Sequence, residues 1–237
     1  MKHRFKSERA ILNESDQSGV TMKELVSDIR EQLLTYDSDK FVAKVRKMVD
    51  QGHDPLKVVN ALTEVLKEIG RKFENGEIFL VHLVAAGDAA RRATVEVLEP
   101  LIKKRNRKRQ ILGKILIGTV AGDIHDIGKN IVAMMLFTAG FEVHDIGKDI
   151  LTEDFVKKTK EINPDIVALS ALLTTTLPVQ REVIEALKKA NLRSKVKVLV
   201  GGAPATAKWA REAGADGYGD DAIEAVRIAK KLMGVKN

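Results

Sequence analysis

Two rhythms of apolar and polar positions divide the chain near residue 110. From about Val20 to Lys104 the apolar residues recur every three or four positions, as in "ALTEVLKEIGRKF", where Leu62, Val65, Leu66, Ile69 and Phe73 fall on one stripe. Helices are expected throughout this half. Ser38 and Asp39 are candidates to cap a second helix, "QGHDP" at 51–55 breaks before a third, and "ENGE" at 74–77 breaks before a fourth. A four-helix bundle is the economical packing of such segments. Residues 1–19 are polar without a period and read as a flexible arm.

Beyond residue 110 the apolar residues gather into short runs. "KILIGTV" (114–120), "FEVHDIG" (141–147), "DIVALSAL" (165–172), "KVKVLVGG" (195–202) and the shorter "ADGYG" (215–219) read as strands. Helical segments near 127–139, 152–162, 178–190, 204–213 and 221–232 alternate with them. That alternation predicts an α/β fold, a doubly wound, flavodoxin-like (Rossmann-like) parallel sheet. The expected organisation is an arm (1–19), a helical cap domain (20–105) and an α/β domain (106–237).

Composition adds boundaries to this picture. Of 237 residues 44% are apolar and 31% charged, enough to bury a core and remain soluble. No apolar run approaches a membrane span, and "MKHRFKSERAILNESD" places charges where a signal peptide needs its apolar segment. A cytoplasmic location without a membrane partner is the expectation. The absence of cysteine excludes disulfides, thiolate metal sites and cysteine nucleophiles, so histidine and carboxylates must carry any metal chemistry. The net charge of +7 and the run "KKRNRKR" at 103–109 invite a nucleic-acid reading, but no zinc-finger spacing, stacking aromatics or recognition helix accompany them. The run reads instead as a basic, solvated linker able to attract an acidic partner protein.

In a doubly wound sheet the ligand sits outside the carboxyl ends of the strands. Several features fall at that edge: Asp123 and His125 after the first strand, Ser170 and Thr174 to Thr176 after the third, and Gly201 with Gly202 after the fourth. Glycine pairs admit close backbone approach, and hydroxyls offer hydrogen bonds without charge. A nucleotide phosphate is disfavoured here, because the first loop carries Asp123 and Asp126 where a phosphate-binding turn needs glycine and no negative charge.

"DIHDIG" (123–128), "SAL" (170–172) and "GG" (201–202), with 41 and 28 residues between them, resemble the cobalamin-binding domains of methionine synthase and of the corrinoid proteins serving methyltransferases. The family pattern is an Asp-x-His-x-x-Gly loop, a Ser-x-Leu strand end and a Gly-Gly pair. Three elements at these spacings are specific where a lone Asp-x-His is not. The helical half resembles the cap domain of the same family, so the likeness spans residues 20 to 232 or so.

The resemblance implies a cobalamin or related corrinoid with His125 as lower axial cobalt ligand in place of the corrinoid's own base. Asp123 would hold the other ring nitrogen, and Thr176 stands where methionine synthase has the serine that completes a proton relay. Gly128, Ser170, Leu172, Thr174, Gly201 and Gly202 would receive the displaced nucleotide tail. Phe73, Leu80 and Leu83 would cover the upper face of the corrin. A proline that commonly follows the cap's Phe-Leu pair is Val81 here.

Each residue also has a plainer reading. Asp123 would serve as the N-cap of the helix near 127 and His125 as a surface histidine, were the other two elements absent. Phe73, Leu80 and Leu83 have the spacing of ordinary bundle core. His53, His82 and His144 show no metal-ligand pattern, and Lys129 with Asn130 begins the following helix.

Four functions compete. A methyl carrier would accept a methyl group from a substrate:corrinoid methyltransferase and yield it to a corrinoid:tetrahydrofolate or corrinoid:thiol methyltransferase, with a reductive activator as third partner, and would not be catalytic alone. A mutase subunit uses a similar cobalamin domain, but without the helical half. A cobalamin-dependent sensor or regulator can have both domains, usually with a DNA-binding domain added. A relative without corrinoid conflicts with the intact Asp123, His125 and Gly128. The carrier is the preferred reading. The sequence itself names neither methyl donor nor acceptor.

Overall fold

A computed structural model describes residues 20–104 and 110–235, and the chain divides into two compact units between Gln110 and Ile111. The first 19 residues, and most of the basic run at 103–109, lie outside the described residues.

In the first unit, α1 (Met22–Leu33), α2 (Ser38–Asp50), α3 (Pro55–Glu74) and α4 (Leu80–Ala93) form the bundle, α1 packing on α3 and α2 on α4. A π-helical turn (Thr94–Leu98) leads into α5 (Glu99–Lys104). Each start has a local cause. Thr21 and Glu24 form a reciprocal capping box on α1, and Asp54 caps α3 with Pro55 in its first turn. The second helix is capped by Asp37, which accepts from Lys40 N; Ser38 is already helical, so the expected Ser38/Asp39 cap is displaced by one residue. Leu25, Ile29 and Leu33 bury one face of α1, and Val58, Leu62, Val65 and Ile69 that of α3. Ala86, Ala89, Ala90 and Ala93 line the buried face of α4, where small side chains let helices approach closely.

In the second unit β1 (Lys114–Thr119), β2 (Glu142–Asp145), β3 (Ile166–Ser170), β4 (Lys197–Gly201) and β5 (Gly217–Gly219) form one parallel sheet in the order β2-β1-β3-β4-β5. Between and after them run α6 (Ile127–Thr138), α7 (Thr152–Ile162), α8 (Leu177–Lys189), α9 (Ala207–Ala213) and α10 (Ala222–Leu232). The central strands are apolar on both faces because helices cover both. Leu116, Val167, Val198 and Val200 meet Phe155 of α7, and Val183, Ile184 and Leu187 of α8. The fourth crossover helix starts later than its sequence suggests, at Ala207, since the Thr206 hydroxyl takes the N-cap by accepting from Trp209 N.

Register places the functional edge. Thr119, Ser170, Gly201 and Gly219 are successive partners across β1, β3, β4 and β5, and Ile117, Ala168 and Leu199 form the row two residues earlier on the same face. The outer row thus ends in two residues without side chains, which opens a cleft at the carboxyl edge.

Candidate functional site

The loop between β1 and α6 is bent so that Asp123 turns inward and His125 outward. Asp123 is fully buried, whereas the His125 side chain is 47% exposed. The main chain around them is fixed by Thr119 Oγ1, which donates to His125 O at 3.0 Å, and by Asp149, whose N donates to Asp123 O and whose Oδ1 accepts from Gly122 N.

The Asp123 carboxylate is surrounded by donors. Oδ1 accepts from His125 N at 3.0 Å and faces His125 Nδ1 at 2.8 Å. Oδ2 accepts from Leu172 N at 2.7 Å, Leu173 N at 3.2 Å and Thr176 Oγ1 at 2.8 Å. Burial pushes the carboxyl pKa up, but the hydrogen bonds from His125 N, Leu172 N, Thr176 and the His125 ring outweigh it and hold Asp123 well below the usual carboxylate range. The ionised Asp123 accepts a hydrogen bond from Nδ1–H, and that tautomer leaves the Nε2 lone pair directed away from the carboxylate. Asp123 is therefore not the N-cap of α6: that position belongs to Asp126, whose side chain makes no capping hydrogen bond.

Behind His125 lies a cleft of about 700 Å³, bounded by Ile117, Ala168, Leu199 and Val200 of the sheet, Ile127, Gly128, Ile131 and Val132 of α6, Ala222 and Ala225 of α10, and the loop residues Ile124 to Asp126, Leu172 and Gly202. Gly202 is required by the protein itself: its φ is +119° and a Cβ would lie 1.8 Å from the Ala171 carbonyl oxygen. Gly128 has no such reason, since nothing in the protein approaches within 4 Å of a Cβ there, whereas a Cβ at Gly201 would come 3.2 Å from the Gly219 carbonyl oxygen, a tight backbone contact.

Every residue expected at the corrinoid cleft and loop lies at this edge, though not all in the same way. Gly128, Ser170, Leu172, Gly201 and Gly202 line the cleft, Thr176 binds Asp123, and Thr174 is exposed in the turn before α8. Sequence reasoning missed three features. Lys129 is buried, with Nζ on Asn130 Oδ1 at 2.7 Å and on Asp145, so it closes the cleft wall as half of an ion pair. Asp220 and Asp221 follow β5 at the cleft mouth, where Asp220 accepts from the Tyr218 hydroxyl. Gln180, fully buried, donates to the carbonyls of Leu169 and Gly201 and accepts from Trp209 Nε1 at 2.9 Å, tying β3 to β4 beneath the mouth. A buried glutamine within an apolar helix face was the available signal.

In the helical unit, Phe73 is half-buried and Leu80 is 36% exposed, but Leu83 has no exposed surface. Leu83 is bundle core, because it lies on the inward stripe of α4 with Ala86 and Ala90. The apolar surface of that turn is presented by Phe79, Leu80, Val81 and Val84. His82 Nδ1 accepts from Phe79 N, and among the described residues no three His, Cys, Asp or Glu side chains form a metal-binding group.

A family model described as "B12 binding domain" matches residues 113–227, and a second with the same description matches residues 25–98. The "Dimethylamine corrinoid protein 2" of Methanosarcina mazei is 47% identical over 90% of this chain and 99% of its own. The chain belongs to the corrinoid protein family. The "Trimethylamine corrinoid protein 2" of Methanosarcina acetivorans is 43% identical over 89% of the chain and 97% of its own. The crystal structure of a novel cobalamin-binding protein from Desulfitobacterium hafniense is similar to this corrinoid protein with a TM-score of 0.63 and 32% identity, covering 90% and 98% of the two chains. The cofactor of the present chain is a corrinoid, and its fold is a helical unit followed in sequence by a Rossmann-like B12 domain. No helix among the described residues is long and apolar enough to cross a membrane.

Proposed function

We propose that this corrinoid protein carries methyl groups taken from a methylated amine, with His125 Nε2 as the ligand that seats the cobalt. The observation that carries the reading is the Asp123–His125 pair: a buried carboxylate held ionised by hydrogen bonds, fixing an exposed imidazole at the mouth of an apolar cleft. A bound corrinoid supplies a metal centre that accepts and releases a methyl group. The chain's own residues supply everything around it. Asp123 fixes the tautomer and raises the basicity of the imidazole, as carboxylates do for metal-bound histidines. Thr176 provides a hydroxyl on the same carboxylate through which a proton can be exchanged. Gly128, Gly201 and Ser170 leave room for the nucleotide tail, while Leu172 and Thr174 stand at the rim. Phe73 and Leu80, with Phe79, Val81 and Val84 beside them, present an apolar face of the helical unit that would serve to keep water from a bound methyl group.

The amine assignment is supported by relatives whose names specify dimethylamine and trimethylamine and whose length this chain matches almost completely. The protein is accordingly not catalytic alone. It works in the cytoplasm with a methylamine-specific methyltransferase that loads it, a second methyltransferase that unloads it onto a folate or a thiol, and a reductive activator.

The test is an absorbance spectrum after incubation with hydroxocobalamin and removal of free cofactor. Wild type is expected to retain about one corrinoid per chain in a histidine-ligated, base-off form, as this one-site reading requires. His125→Ala is expected to lose that form, and an unchanged spectrum would remove His125 from its role.

A further inference from the structure

We propose that the cleft selects its corrinoid by the base of the nucleotide tail, favouring a benzimidazole over a purine. The proposal rests on the reading above, in which the tail leaves the metal and enters the cleft.

The chemistry of the walls is the argument. On the sheet side the inner register row is Ile117, Ala168 and Leu199, and the helices opposite contribute Ile131 and Ala225. All are aliphatic. Of the charged lining residues, Lys129 Nζ is committed to Asn130 and Asp145 with its side chain 1% exposed, Asp126 has one oxygen 3.5 Å from Lys148, and Asp221 has one oxygen accepting from Glu224 N at the start of α10. Asp220 holds the Tyr218 hydroxyl, and both aspartates follow β5, beyond the outer row. Ser170, on the outer row, has a hydroxyl without a hydrogen-bond partner among the described residues. Among those residues the one buried side-chain polar atom lacking a partner is Thr159 Oγ1 in α7, away from the cleft.

The inner cleft therefore offers a flat ligand apolar contact, and at the outer row one uncommitted hydroxyl. A benzimidazole attached to its ribose has a single ring nitrogen left to bond, and its remaining edge is carbon. That matches one hydroxyl at the rim and an aliphatic interior. A purine has further ring nitrogens and, in adenine, an exocyclic amine. Each enters the aliphatic interior without a partner and loses the hydrogen bonds it made to water.

The experiment is equilibrium dialysis of the intact protein against three corrinoids: cobinamide, which has no nucleotide tail, cobalamin, whose base is dimethylbenzimidazole, and adeninylcobamide. Cobalamin is expected to bind about ten- to a hundredfold more tightly than adeninylcobamide. Ala168→Ser puts a hydroxyl on the inner row and is expected to narrow that ratio several-fold. Cobinamide separates the two readings, since its binding depends on the metal seat alone. Equal affinity for cobalamin and adeninylcobamide, with cobinamide binding lost in His125→Ala, overturns base selection and leaves the metal seat standing. Failure of all three to bind removes the cofactor reading and this inference with it. A ratio unmoved by Ala168→Ser, in a variant with wild-type far-ultraviolet circular dichroism, overturns the assignment of the inner row as the surface that reads the base.

Discussion

Thr176 donates its hydroxyl proton to Asp123 across 53 residues of sequence, at 2.8 Å, and both groups are buried. The Leu173 carbonyl is a second acceptor for the same proton at 3.0 Å, but a carboxylate is the stronger of the two. Thr176→Val removes the donor with little change of shape and leaves a charged oxygen short of one bond. A stability loss of about 2 kcal/mol is expected from chemical denaturation of the corrinoid-free protein, and Thr176→Ser should recover most of it. A loss in Thr176→Ser with none in Thr176→Val would show that the methyl group, not the hydroxyl, matters here.

Asp123→Asn tests the same carboxylate from its other side. An amide keeps one acceptor oxygen but points an N–H₂ at either the His125 ring or the backbone donors of Leu172 and Leu173. Corrinoid affinity is expected to fall about 10- to 100-fold, the usual cost of losing a carboxylate behind a metal-bound histidine. Dialysis of wild type and variant against cobinamide measures it without interference from the nucleotide tail.

Two glycines should separate fold from ligand. At Gly202 a Cβ would collide with the Ala171 carbonyl and the backbone has a positive φ, so Gly202→Ala is expected to cost about 3 kcal/mol or more, or to yield no soluble protein. At Gly128 a Cβ meets nothing in the protein, and the residue is in the first turn of α6. Gly128→Ala should leave thermal stability unchanged or slightly raised while weakening corrinoid retention. Unchanged retention in Gly128→Ala would show that no ligand comes close at that point.

Gln180→Leu leaves the Leu169 and Gly201 carbonyls and the Trp209 indole N–H with fewer partners in the interior. The expected loss is about 2 to 3 kcal/mol, followed by the fluorescence of the single tryptophan. Since the glutamine ties β3 to β4, a matching fall in cobalamin but not cobinamide binding is also expected. No loss of stability would mean that water replaces the amide fully.

Tyr218 has its pKa raised to about 12 by the hydrogen bond to Asp220, with burial and the charge of Asp221 adding to it. A folded-state pKa above the unfolded value of about 10 means that this bond contributes fully below that pH and is lost as pH rises through 12. The phenolate absorbance of Tyr218 should therefore titrate later in the native protein than in the unfolded chain. Asp220→Asn is expected to bring the two together, and an unmoved Tyr218 midpoint would assign the shift to burial instead.

Much of this molecule is legible in its apolar pattern. The change of period near residue 110, the order of helices and strands, and the placement of Asp123, Ser170 and Gly201 at strand ends follow from local burial, which repeats every 3.6 residues in a helix and every two in a strand. The cap of α2 was readable to within a residue, Asp37 in place of Ser38, whereas α9 starts three residues later than its sequence suggests. What local pattern does not contain is the partner of a polar atom. Leu172 and Leu173 contribute backbone N–H groups to Asp123, and backbone donors leave no mark on residue identity. Lys129 reads only as the start of a helix, yet it is buried because Asp145, 16 residues on, returns beside it at the end of β2. Leu83 has the spacing of a face but the position of a core, since the same stripe serves either until the neighbouring helices are placed. The sequence by itself determined which segments are helix or strand, and which residues stand at the carboxyl edge of the sheet. Only the tertiary structure decided which oxygen meets which donor there, because those pairs join segments some fifty residues apart whose approach is set by the packing of the whole sheet.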